Sequence, residues 1–233
     1  MTYDLWYWTG IPGRGEFVRL PMEAAGIPYR DRAREEGDEA VVKHLKAMQH
    51  HPAFAVPLLE GDGLKIAQTA NILLYLGEKH GIAPQDTEGR LWVHQLQLTI
   101  ADVVVEAHDT HHPVAASLYY EDQKEPSIRA AELFREERIP AFLDYFERAT
   151  GSGDWLAGNE WSYADTSLFQ LWEGLRHAFP KRMKALAGDY RKIGAIAKRV
   201  TALPRLKDYL ASEQRLSFNE HGLFRHYPEL DVA

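Results

Sequence analysis

Apolar positions change their spacing once along this chain of 233 residues. In the first eighty residues, short apolar runs alternate with helical patterns; beyond residue 90 only helical spacing remains. Residues 3–8 are rich in aromatics, which suit a strand, and Thr9-Gly10-Ile11-Pro12-Gly13 breaks the run. Residues 14–25 put Phe17, Leu20, Ala24 and Pro21 on or near one helical face, and Gly26 supplies a C-terminal stop. A weaker strand follows at 28–34. Residues 38–48 place Val41, Val42, Leu45 and Met48 on one face of a helix. Residues 55–60 and 64–66 are strand-like runs flanking Gly61-Asp62-Gly63, a hairpin turn signature. Residues 68–80 then predict a helix bearing Ile72, Leu73, Tyr75 and Leu76, closed by Gly81.

The predicted order to this point is β-α-β-α-β-β-α. After Gly81-Ile82-Ala83-Pro84 the pattern predicts only helices: 88–112, ended by Pro113; 127–149, kinked at Pro140; then 163–178, 190–201 and 205–212. The chain reads as a small mixed α/β domain, residues 1–82, joined to a larger all-α domain, residues 88–233. There is no internal repeat and no low-complexity tract.

Composition narrows the function classes. With 27 Lys and Arg against 34 Asp and Glu, the formal net charge is −7, which argues against general nucleic-acid binding. The chain has no cysteine. That excludes a disulfide framework, thiolate metal sites, a cysteine nucleophile and a CxxC redox centre. The first ten residues lack a basic stretch and a cleavage site, and no run is long and apolar enough to span a membrane. The expectation is a soluble cytoplasmic protein with no membrane partner.

Several residues could carry chemistry. Tyr7 and Trp8 end the first strand just before a helix start, where free N–H groups and the helix dipole meet anions. The Tyr7 hydroxyl there could donate to a thiolate or oxyanion, or the ring could simply pack. Gly13-Arg14-Gly15 is neither GxGxxG nor a P-loop, yet Arg14 opposes the dipole at a helix start, which favours a ligand role. Val56-Pro57 opens a strand, where proline is tolerated. Gln68-Thr69 opens a helix, so Thr69 either caps it or holds a carboxylate. His108, His111 and His112 cluster at a helix end beside Glu106 and Asp109. His108 and His112 share a face and could bind zinc, but there is no HExxH and the third ligand is unspecified. No metal is expected. His50 and His51 read as loop residues. Ser162-Tyr163-Ala164-Asp165 before an apolar run fits a capping box, with Trp161 placed for a hydrophobic staple on Thr166 or Leu168.

Taken together these residues resemble the cytosolic glutathione transferases. YW at 7–8 followed by GRGEFVRLPMEAAGIPY resembles the first strand, loop and helix of the tyrosine-type classes (alpha, mu, pi, sigma). VPLLEGDGLKIAQTANILLYLGEKHG, residues 56–81, resembles the family's glutathione-binding hairpin and helix, and SYADTSLFQ its sixth-helix capping box. FNEHGLFRHYPELD has the look of a bacterial branch.

The resemblance implies a thioredoxin-like N-terminal domain, an all-α C-terminal domain and glutathione as co-substrate. It implies that Tyr7 stabilises the glutathione thiolate and that Arg14 lies near the sulfur. It implies that Trp8 contributes to the glutathione site, and that the Val56 backbone pairs with the cysteinyl part before a cis Pro57. It gives Gln68 and Thr69 the γ-glutamyl carboxylate and amine, Lys46 the glycyl carboxylate, and Asp102 the γ-glutamyl amine across a homodimer interface. Trp8, Ile11, Pro12, Phe218 and Phe224 would line a pocket for a small hydrophobic electrophile. Ala55 departs from the polar residue common before Val-Pro, Thr69 replaces serine, and the loop after Tyr7 is one residue longer than in alpha members. Serine- and cysteine-type classes are disfavoured. The alternatives are a non-catalytic glutathione- or hydrophobe-binding protein, or a glutathione-dependent isomerase or peroxidase on the same fold.

Overall fold

A computed structural model describes residues 2–232. The central strand β1 (Tyr3–Trp6) runs parallel to β2 (Tyr29–Asp31) and antiparallel to β3 (Leu58–Gly61). The last strand, β4 (Leu64–Ala67), pairs antiparallel with β3, giving the order β2-β1-β3-β4. Alternate residues of β1 feed two cores, as strand geometry requires. Tyr3 and Leu5 join one cluster with Phe17, Leu20, Ile72 and Leu76 of helices α1 (Gly13–Ala25) and α4 (Thr69–His80). Trp6 joins a smaller cluster with Ala33 and Val41, from α2 (Arg32–Glu36) and α3 (Asp38–Ala47). The sheet is therefore covered on both faces.

The second half is helical: α5 (Thr87–Asp109), α6 (Lys124–Leu133), α7 (Ile139–Ala149), α8 (Tyr163–Ala178), α9 (Pro180–Leu186), α10 (Arg191–Thr201) and α11 (Pro204–Leu210). The central member is α8, buried nearly all round and packed on α1, α5, α9 and α10. The larger core runs without a break from β1 into these helices. Among the described residues, no helix is long and apolar enough to cross a membrane.

The elements depart from expectation in four places. The strand expected at 3–8 stops at Trp6, so Tyr7 lies just beyond it. The strand expected at 28–34 gives way at Arg32 to α2. The helix expected at 127–149 is interrupted by a wide π turn, Phe134–Arg138, immediately before Pro140. Proline has no N–H to continue the α pattern, and the chain absorbs this by widening the turn. Finally α9 was not anticipated; Pro180 stands in its first helical turn.

Candidate functional site

Tyr7 is placed by the end of β1. Pairing stops at Trp6 opposite Leu58, and the chain then carries the Tyr7 ring beneath the start of α1. Two glycines make room. A Cβ on Gly13 would run into the Tyr7 hydroxyl, and one on Gly15 would lie 2.5 Å from the ring. The Arg14 backbone N–H donates to the Tyr7 hydroxyl oxygen at 2.7 Å. That N–H belongs to the first helical turn, where donors lack intrahelical partners. The bond uses an acceptor lone pair, so the phenolic proton stays free to be donated. Burial pushes the Tyr7 pKa above its ordinary value; the opposing pull of the Arg14 N–H and of the Arg14 and Arg19 charges is smaller. Tyr7 is a protonated donor at neutral pH.

Arg14 lines a narrow slot with Thr69, Gln97, Ile100 and Ala101, so the starts of α1 and α4 meet against α5. Gln68 precedes α4 with φ 72°, a left-handed conformation in a non-glycine residue. Such strain, of order 1–3 kcal/mol, collects at ligand sites. The Thr69 hydroxyl is buried and has no hydrogen-bond partner, and α4 has no side-chain cap. Thr69 therefore does not cap its helix, and its hydroxyl and the free first-turn N–H groups are available to an anion. Gln68, Thr69 and Asn71 face His94, Leu98 and Ala101 across a cleft of about 320 Å³.

Val56 and Pro57 are buried and joined by a cis peptide. They lie just before the paired register of β3, which starts at Leu58. An extended ligand segment could pair with this unpaired stretch of backbone. Lys46, near the end of α3, and Asp102, on α5, are both exposed. Neither lines the clefts that hold Arg14, Gln68 and Thr69.

The five residues expected to line a hydrophobic pocket fall into two groups. Trp8 and Ile11 pack against the small cluster of Trp6, Tyr7 and Val56, and Pro12 is buried beside them in sequence. Phe224 is buried against Gly174 of α8, where a Cβ would clash with its ring. Phe218 stacks on His177 with centroids 5.1 Å apart and lines a separate cleft with Trp172 and Arg215. The pocket was thus drawn too widely: Phe224 is core and Phe218 faces α8. What the C-terminal segment does bring to the loop after β1 is Asn219, whose side-chain amide donates to the Gly10 carbonyl at 2.9 Å.

Sequence reasoning missed His94 and Gln97. With Ala101 they are spaced i, i+3, i+7 on α5, a pattern that was there to find once α4 was known to face it. It also missed the buried charges behind Tyr7. Glu16 accepts from the Tyr209 hydroxyl at 2.8 Å and pairs with Arg215, while Arg19 pairs with Asp31 at 2.8 Å. These contacts tie α1 to α11, to the segment that follows it and to the end of β2, and fix the platform under the site.

Comparison with known proteins bears on the fold. Residues 108–213 match the family described as glutathione S-transferase, C-terminal domain. Mouse glutathione S-transferase A3 is 26% identical over 211 residues, covering 89% of each chain. A glutathione S-transferase of Plasmodium falciparum is 22% identical over 218 residues, 89% of this chain and 95% of that one. The solved Pi-class glutathione S-transferase of Onchocerca volvulus superposes with a TM-score of 0.73 at 19% identity, covering 95% and 99%. All three are eukaryotic proteins. The fold is thus a thioredoxin-like domain followed by an all-helical one, with the candidate site at their junction. Over nearly its whole length the chain is similar to glutathione S-transferases, and residues 108–213 match their C-terminal domain.

Proposed function

We propose that this chain is a glutathione transferase of the tyrosine type, joining the glutathione sulfur to small hydrophobic electrophiles. One observation carries the reading: Tyr7 is a buried, protonated hydroxyl whose acceptor side is taken by the Arg14 N–H, so its proton is free for an anionic sulfur. A free thiol has a pKa near ~8.5 and is mostly protonated at pH 7. Hydrogen bonding and a nearby guanidinium both favour the thiolate. Glutathione would lose its proton to solvent, and Tyr7 O–H and Arg14 would hold the sulfur anion. The thiolate then attacks an electrophilic carbon. An S–C bond forms, and the leaving group departs with the electron pair of its bond to carbon.

The remaining roles are those that the resemblance implies. The Val56 backbone would pair with the cysteinyl residue, while Gln68, Thr69 and the α4 N-terminus would take the γ-glutamyl carboxylate. Lys46 is assigned the glycyl carboxylate, and Trp8, Ile11 and Pro12 the electrophile side. Asp102 would act across a homodimer. Two exposed apolar features support that assembly: Phe54, which is 97% exposed, and the stripe Leu91, Leu98 and Val105 along α5. Detoxification in the cytoplasm is the setting this chemistry suits. The bacterial branch rests on the motif FNEHGLFRHYPELD alone.

The test is conjugation of glutathione to a reactive haloarene, followed by absorbance and by mass of the thioether. Saturation in both substrates is expected. A rate no greater than the uncatalysed one, together with tight glutathione binding, would make the chain a binding protein instead.

A further inference from the structure

The last turn of α5 and the two residues after Thr110 bring three imidazoles together. His108 lies in the last turn of α5, and the turn that follows Thr110 brings His111 and His112 beside it. Their rings meet edge to face, with centroids 4.8 to 5.0 Å apart. One ring nitrogen of each lies within 4.8 Å of those of the other two.

In every ring one nitrogen is already engaged. His111 Nε2 lies 3.0 Å from the Leu223 carbonyl, and His112 Nδ1 faces the His111 carbonyl. A carbonyl only accepts, so these nitrogens carry the protons. His108 Nδ1 lies 3.0 Å from the Asp109 carboxylate, which favours the proton there too. The lone pairs are thereby left on His108 Nε2, His111 Nδ1 and His112 Nε2. Metal-binding histidines are oriented in this way, the far N–H held by a carbonyl or carboxylate. His111 is 1% exposed, and its Nδ1 has no hydrogen-bond partner. A buried acceptor left unsatisfied needs a reason.

We propose that His108, His111 and His112 bind one divalent first-row transition-metal ion, Zn²⁺ foremost, through these three nitrogens. Three imidazoles with a fourth position open is the donor set of a catalytic rather than a structural zinc site. Zn–N bonds of 2.0–2.1 Å put neighbouring nitrogens roughly 3.3 Å apart, so the rings close in by rotation when the ion enters. The carbonyls at the α5 C-terminus favour a cation. Arg14 and Arg225 oppose it from neighbouring elements. Entry is available because His112 is one wall of a cleft of about 570 Å³ shared with Tyr120, Glu220 and His221. The sequence alone left the third ligand unspecified, because Leu223, which holds the His111 ring, is 112 positions away. The proposal stands independently of the glutathione reading.

The test is a Co²⁺ titration of tag-free, metal-stripped full-length protein. The visible d–d bands of cobalt with nitrogen donors should saturate at one ion per chain and vanish when one equivalent of Zn²⁺ is added. His108→Ala and His112→Ala, both at partly exposed positions, should keep the native circular dichroism and each weaken binding by at least ~100-fold, beyond the 10–100-fold typical of outer-shell changes. Asp109→Asn should weaken it about 10-fold. A double His50→Ala/His51→Ala variant should bind as wild type. No stoichiometric band in wild type, or an unchanged titration in the His108 and His112 variants, would overturn the site. Should His111→Ala not fold, those two variants carry the test by themselves.

Discussion

The Tyr7 hydroxyl accepts the backbone N–H of Arg14 at 2.7 Å, so one bond both ties the ring to the start of α1 and aims its proton outward. Tyr7→Phe removes the oxygen and keeps the ring. The Arg14 N–H loses its partner, which costs about 1 kcal/mol of stability. The larger effect is on the bound thiol. One donor to an anion is worth about 1.5–3 kcal/mol, or roughly 1–2 units of thiol pKa. The thiolate ultraviolet band, followed against pH with glutathione bound, should shift upward by that amount. The value of kcat at neutral pH should fall ~10- to 100-fold, with the deficit shrinking as pH rises. An unshifted titration with full activity would make Tyr7 structural.

Gly15→Ala attacks the same bond from the other side. Its Cβ would lie 2.5 Å from the Tyr7 ring, so the ring or the helix start must move. Overpacking of this kind costs about 1–3 kcal/mol. Activity should drop as it does in Tyr7→Phe. The double variant should lose little more, because both changes act through one hydroxyl position. Additive losses in kcat would separate the two residues.

At Thr69 the expectation is loss of affinity without loss of stability. Its hydroxyl is buried and makes no hydrogen bond within the chain, so Thr69→Val should leave the melting temperature unchanged or raise it. Glutathione affinity should weaken ~10-fold or more, the worth of a hydrogen bond to a charged group. Thr69→Ser should restore it. A fall in melting temperature with unchanged affinity would return Thr69 to the role of a cap.

Much of this was legible in the sequence because it is local. The aromatic run of β1, the Gly61-Asp62-Gly63 turn and the capping box at Ser162 are each decided within a few residues. What was missed is decided by distant partners. Glu16 is held by Tyr209 and Arg215, nearly two hundred positions away. Phe224 reads as a pocket residue until Gly174 of α8 receives it. The free hydroxyl of Thr69 is a statement about which groups fail to arrive, and spacing alone cannot supply it.

Phe54 offers a test of assembly. It is a large apolar side chain in the loop before β3, is 97% exposed, and is available to an interface. Phe54→Ser should shift the mass seen by light scattering from dimer toward monomer at micromolar concentration. If Asp102 completes the partner's site, glutathione affinity should fall with the dimer, and Asp102→Ala should lower affinity while leaving the dimer intact. A wild-type chain that scatters as a monomer would remove both assignments.

Asp165 makes a pH-dependent contribution to stability that has nothing to do with the site. It is 0% exposed and accepts from the Leu156 N–H at 2.9 Å, the Ser162 N–H at 2.8 Å and the Ser162 hydroxyl at 2.9 Å. Burial nevertheless outweighs these donors and pushes its pKa up to about 6 from an ordinary 3.8. The native state therefore binds this proton more tightly than the unfolded chain does. By linkage, its contribution is fully present below about pH 4 and is lost as pH rises through about 6, levelling above. Two units correspond to ~3 kcal/mol at most. Other carboxylates titrate in the same range, so the readout is a difference. The stability of wild type minus that of Asp165→Asn, from denaturant melts, should be most positive near pH 4 and fall steadily to pH 7. Ser162→Ala should cost about 0.5–2 kcal/mol and move the fall to higher pH, since one donor to the carboxylate is gone. Ser162→Ala and Asp165→Ala together should cost less than their sum, because both belong to one reciprocal cap. Glutathione affinity should not change in any of these variants. A difference that stays flat between pH 4 and 7 would mean that Asp165 is charged throughout, and that its three donors outweigh burial after all.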